Sequence, residues 1–80
     1  MAHEEAARKR VVDKLTEVSE SVSIDVRGRI YVDGWWECTV ADGMVSFYEP
    51  DGAEAGVVQM ASCSDYLAHL IDIRNKPVDA

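Results

Sequence analysis

Residues 36–48 read WECTVADGMVSFY. Asp42-Gly43 at the centre is the dipeptide that two-residue hairpin turns favour, because both central residues take positive φ. A two-residue turn there pairs Ala41 with Met44, Val40 with Val45, Cys38 with Phe47 and Trp36 with Glu49. Strand alternation then sends Trp36, Cys38, Val40, Val45 and Phe47 to one face. Glu37, Thr39, Ser46 and Tyr48 go to the other. Turn chemistry and parity agree, so the segment is expected to be an antiparallel hairpin with one apolar face.

Upstream, Val22, Ile24, Val26, Ile30 and Val32 share one parity. This favours one long strand bent at Gly28 over two strands around Arg27-Gly28-Arg29, since glycine inside a strand often marks a bend. A loop over Asp33–Trp35, with Asp33-Gly34 as its turn, leads into Trp36. Downstream, Pro50-Asp51-Gly52 is a turn, residues 53–56 read as a loop, and residues 57–60 as a short fourth strand.

Helices are expected on both flanks. From Ala2 to Glu20 the apolar residues Ala7, Val11, Leu15, Val18 and Val22 recur at helical spacing. Glu4–Arg8 and Glu5–Lys9 are favourable (i, i+4) pairs. Near the C-terminus, Ser62 or Ser64 can cap a helix with Asp65 in its first turn. Leu67, Leu70, Ile71 and Arg74 trace its face, Tyr66 and Ile73 widen it, and Asn75-Lys76-Pro77 ends it. The expected fold is α+β: an N-terminal helix, a three- to four-stranded antiparallel meander and a C-terminal helix, in one domain over residues 1–80.

The chain has 80 residues, a net charge of −7 and 48% hydrophobic residues. That excludes a second domain and argues against disorder. No apolar run reaches the length of a membrane span and no secretory signal is apparent, so a cytoplasmic, non-membrane protein is expected. Cys38 and Cys63 suit two buried free thiols in a reducing compartment better than one disulfide. No Walker loop, GxGxxG or HExxH motif occurs, and Cys38, Cys63, His3 and His69 are too scattered for a metal site. The expectation is a non-enzyme without metal or cofactor.

Charge is the unusual feature. From Ile30 to Ile73 there is no Lys or Arg, and that stretch carries Asp33, Glu37, Asp42, Glu49, Asp51, Glu54, Asp65 and Asp72. An acidic surface keeps a small domain soluble. It also suits a basic partner, because carboxylates can occupy the Arg and Lys groups that hold phosphates. Trp35 and Trp36 are adjacent, so both cannot enter one core. Trp35 either covers a neighbouring element or anchors an interface. The candidate partner-binding residues are Trp35, Glu37, Asp42, Tyr48, Glu49, Asp51 and Glu54. The stripe Val11, Leu15, Val18 is a candidate surface for a homodimer. Arg8, Lys9 and Arg10 read as a solvated helix face rather than a phosphate site, and no direct nucleic-acid binding is expected of so acidic a chain.

In its size, its acidic stretch from Ile30 to Ile73, and its helix–meander–helix layout centred on GRIYVDGWWECTVADGMVSFYEPDG, the chain resembles the small acidic anti-CRISPR inhibitors of phages and mobile elements. The resemblance covers the chain as a profile, with no signature motif. It implies a protein without cofactor, acting in the host bacterial cytoplasm. Such a protein would bind a CRISPR effector and block target DNA by occupying its positive surface, in several cases as a dimer. The reading from another class is a small self-associating structural or adaptor module, such as a phage accessory protein.

Overall fold

The computed structural model describes residues 2–76. The chain runs α1 (Ala2–Thr16), β1 (Val22–Ile24), β2 (Ile30–Val32), β3 (Trp36–Ala41), β4 (Met44–Tyr48), β5 (Glu54–Gln59), a 3-10 turn (Met60–Ser62) and α2 (Cys63–Asn75). The five strands form one antiparallel meander in the order β1-β2-β3-β4-β5. The α+β architecture is as expected, with one strand more than the upper count.

The central hairpin forms in the expected register, with Ala41 opposite Met44, Val40 opposite Val45 and Cys38 opposite Phe47. Asp42 and Gly43 take φ of 53° and 75°, as a two-residue hairpin turn of this hand requires. The Trp36–Glu49 pair does not form. β4 ends at Tyr48, and the Glu49 N–H donates instead to the Ala53 carbonyl at 2.8 Å, closing the next turn.

The extra strand comes from residues 22–32, which are two strands and not one long bent one. Asp25 divides them. Its Oδ1 accepts the N–H groups of Arg27 and Arg29, both at 2.9 Å, and its own N–H donates to the Arg29 carbonyl at 3.0 Å. A side chain that satisfies two backbone donors stabilises a turn against a continuous strand. Val26 is left at the turn fully exposed, and Ile24 is 46% exposed, so the shared parity of these residues does not mean shared burial.

Two further boundaries differ. α1 stops at Thr16 and not Glu20. The Val18 and Ser19 N–H groups both fall on the Leu15 carbonyl, and the Ser19 hydroxyl accepts the Ser21 N–H at 3.3 Å, turning the chain toward β1. β5 begins at Glu54, inside the expected loop; Ala, Glu and Gly are weak strand formers, and pairing with β4 overrides them. His3, the Glu4 side chain and Pro77 lie outside what is described. Among the described residues Glu5 and Lys9 form no ion pair.

The core is a single cluster: Val11 and Leu15 of α1, Ile30 and Val32 of β2, Trp36 and Cys38 of β3, Val45 and Phe47 of β4, Cys63 and Leu67 of α2. Both helices therefore cover one face of the sheet. Leu70 and Ile71 pack against the cluster, whereas Ile73 is 52% exposed and does not widen the buried face. Ser62 precedes α2 without a side-chain capping bond. Cys38 and Cys63 are free and buried, and burial, with a smaller contribution from Cys63, pushes the Cys38 thiol up to about 12. No described helix is long and apolar enough to cross a membrane.

Candidate partner-binding surface

Because the strands alternate in direction, the turns collect at two ends of the sheet. One end carries the β2–β3 turn, the β4–β5 turn and the last turn of α2. The other carries the β1–β2 turn, the β3–β4 turn and the start of α2. β3 has six residues, so the ends are separated by about 17 Å.

At the first end, Trp35, Glu49, Pro50 and Asp51 line one open recess of about 270 Å³. The two turns that supply them are adjacent because β3 and β4 are paired. Trp35 sits in the β2–β3 turn, where Asp33 takes φ of 58°, a conformation Asp tolerates better than most residues. The indole is 45% exposed while Trp36 is buried, so the two neighbouring rings do divide between surface and core.

Arg74 completes this end. Its guanidinium carbon lies 4.8 Å from the Trp36 ring centroid and 5.5 Å from that of Trp35, and its Nη2 donates to Asp33 Oδ2 at 2.6 Å. The molecule thus already holds a guanidinium between an indole and a carboxylate. Residue spacing placed Arg74 only on the face of α2. Its charge in the last helical turn shows no more than a helix-end preference, and the approach of that end to Asp33 is tertiary.

The remaining candidates lie elsewhere. Glu37, Tyr48 and Glu54 follow one another across the sheet face that the helices leave open, with Tyr48 opposite both Glu37 and Glu54. Glu37 accepts Arg29 Nη1 at 2.9 Å, an exposed ion pair of little net worth. Asp42 is at the opposite end, in the β3–β4 turn, where its role is conformational. The structure therefore brings together Trp35, Glu49 and Asp51, places Glu37, Tyr48 and Glu54 on the adjoining face, and separates Asp42 from both.

The proposed dimer stripe is corrected. Val11 and Leu15 have no exposed surface and Val18 packs against the same core, so these residues are consumed within one chain.

At the opposite end, Arg8 of α1 meets Arg27 and Arg29 of the β1–β2 turn around a second recess. The turn is held by Asp25, whose carboxyl lies below the usual carboxylate range chiefly because it accepts the Arg29 N–H. The Tyr31 hydroxyl also donates to it at 2.9 Å, and this contact pushes the Tyr31 phenol above its ordinary value. Sequence adjacency had grouped Arg8 with Lys9 and Arg10; the fold groups it with Arg27 and Arg29 instead.

A scan against protein-family models, a search of curated proteins and a search of solved structures each return no match for this chain.

Proposed function

We propose that the chain is a protein-binding inhibitor of anti-CRISPR type, whose acidic and aromatic end docks on a basic nucleic-acid-binding groove and excludes DNA. The observation that carries this reading is the recess in which exposed Trp35 stands beside Glu49, Pro50 and Asp51. An exposed indole rimmed by carboxylates has the composition of an interface anchor for arginine-rich surfaces. The Arg74 contact with Trp35, Trp36 and Asp33 supports it, because the same chemistry already operates within the chain. Glu37, Tyr48 and Glu54 extend the acidic surface onto the open sheet face. Self-association through the α1 stripe is disfavoured by the burial of Val11 and Leu15.

The test is a DNA-binding competition on a panel of purified guide-loaded CRISPR effector complexes. Wild-type protein is expected to displace target DNA from at least one complex, with affinity falling as salt rises. The double variant Glu49→Lys, Asp51→Lys places like charges against the groove and is expected to weaken inhibition on the order of a hundredfold or more. Its fold should be unchanged, since both positions are exposed. Undiminished inhibition by that variant, or no capture by any complex in the panel, would sink the reading.

A further inference from the structure

We propose that the recess at the β1–β2 turn is a binding site for a small oxyanion of the phosphate class, separate from the acidic end and independent of the inhibitor reading. In a chain of net charge −7, three guanidinium-bearing residues from two distant segments line one recess of about 260 Å³. Arg8 comes from α1, and Arg27 and Arg29 flank Gly28.

The turn is shaped for this convergence. Gly28 takes φ of 88°, and a Cβ there would stand 2.7 Å from Arg8 Nε, so only glycine lets the Arg8 side chain lie against the turn. The one acid in the lining, Asp25, is already engaged. Its Oδ1 accepts two backbone N–H groups and its Oδ2 accepts the Tyr31 hydroxyl. The Arg27 guanidinium makes no hydrogen bond or ion pair with another described residue. Arg29 uses one nitrogen on Glu37, and a guanidinium has five N–H donors, so others remain. The Thr39 hydroxyl adds a neutral donor on the wall.

Planar guanidinium groups suit tetrahedral oxyanions because they offer paired donors. The size of the recess fits a single phosphate group and little more. The acidic far end is about 17 Å away by strand rise, some two screening lengths at physiological salt, so it does not cancel the local field for a small ion. A long polyanion would meet the acids of the rest of the surface. The geometry therefore points to free phosphate or a phosphate monoester rather than a nucleic-acid backbone.

The test is amide NMR on the full chain at constant ionic strength, with chloride replaced stepwise by inorganic phosphate. Parallel titrations use glycerol phosphate as monoester and thymidylyl-thymidine without a terminal phosphate as diester. Phosphate and the monoester are expected to give saturable shifts at Arg27, Gly28, Arg29, Tyr31 and Thr39, and the diester is not. A diester that saturates the same amides more tightly would assign the phosphate to nucleic acid and overturn the monoester assignment. Arg27→Gln should weaken phosphate about tenfold or more and Thr39→Val a few-fold, both with unchanged spectral dispersion. Glu49→Lys, Asp51→Lys should titrate like wild type, which separates this site from the acidic end. Shifts that grow linearly and match those in chloride, or affinities unchanged in both Arg27→Gln and Thr39→Val, would overturn the proposal.

Discussion

Arg74 and Trp36 tie the end of α2 to the start of β3: the guanidinium carbon lies 4.8 Å from the indole centroid, with Asp33 2.6 Å from Nη2 on the other side. The residues are far apart in sequence, so the contact fixes the last helical turn against the β2–β3 turn that carries Trp35. A cation–π contact at a partly exposed site contributes about 0.5–1 kcal/mol, and a partly exposed ion pair up to about 1 kcal/mol. Arg74→Met keeps the apolar stem and removes both. It is expected to lower stability by about 1 kcal/mol, read as a melting-temperature drop of about 4–8 °C for a domain of this size. In 1 M NaCl the ion-pair part of that difference should vanish while the stacking part persists. A difference wholly abolished by salt would mean that the indole contact contributes nothing.

Asp25 predicts a specific acid sensitivity. Its folded-state pKa lies below the ordinary 3.8 because its carboxylate accepts the Arg29 and Arg27 N–H groups and the Tyr31 hydroxyl, so the folded protein binds that proton less readily than the unfolded chain. The stability it contributes is present above the unfolded value and is lost as pH falls through the lowered folded value. Asp25→Asn keeps an acceptor oxygen but no charge. At pH 7 the variant should be less stable than wild type in urea. Between pH 4 and 2 the wild-type midpoint should fall more than the variant's, narrowing the gap. A gap that stays constant across that range would show that the charge of Asp25 is immaterial to the turn.

The same residue marks the limit of what was legible in the chain. The hairpin about Asp42-Gly43 could be read because its turn chemistry and its side-chain parity are both local and coincide. The stretch from Val22 to Val32 misled because parity alone does not show that Asp25 turns its carboxylate back onto the Arg27 and Arg29 amides. β5 was shortened for the opposite reason: Glu54, Ala55 and Gly56 have little strand preference, and β4 recruits them. Of the candidate site, exposure of Trp35 followed from its adjacency to Trp36. That Glu49 and Asp51 stand beside it, while Asp42 stands at the far end, depends on which turns share an end of the sheet. The Arg74 and Arg8 contacts depend on helix placement, which spacing along the chain does not contain.

Leu15 distinguishes a core role from an interface role. It is fully buried with Val11 among Ile30, Val32 and Cys63 in one cluster. Truncating a buried leucine costs about 2–5 kcal/mol, and a buried unpaired charge costs more. Total stability for 80 residues is about 4–12 kcal/mol. Leu15→Asp is therefore expected to unfold the chain, seen as lost amide dispersion and lost helical circular dichroism. A folded Leu15→Asp monomer produced from a wild-type dimer, detected by sedimentation, would instead return α1 to the role of an assembly surface.

Gly56 and Tyr66 form the tightest seam between sheet and helix, and it is testable by a double-mutant cycle. Gly56 has φ of 153° opposite Phe47 at the irregular end of the β4–β5 pairing, and a Cβ on it would collide with the Tyr66 hydroxyl and come within 2.7 Å of Cζ. The ring cannot easily retreat, because its hydroxyl donates to the Ala55 carbonyl at 2.5 Å and its face meets Phe47 at 5.4 Å between centroids. Overpacking of this kind costs about 1–3 kcal/mol, to which the strained backbone adds. Gly56→Ala is expected to cost about 3 kcal/mol in urea unfolding. Tyr66→Phe should cost about 1 kcal/mol through the lost hydrogen bond. Together the two should cost less than their sum by about 1 kcal/mol, since removing the hydroxyl relieves the closest clash while the ring edge remains. Strict additivity would mean that the hydroxyl gives way freely, and that Gly56 is required for its backbone conformation alone.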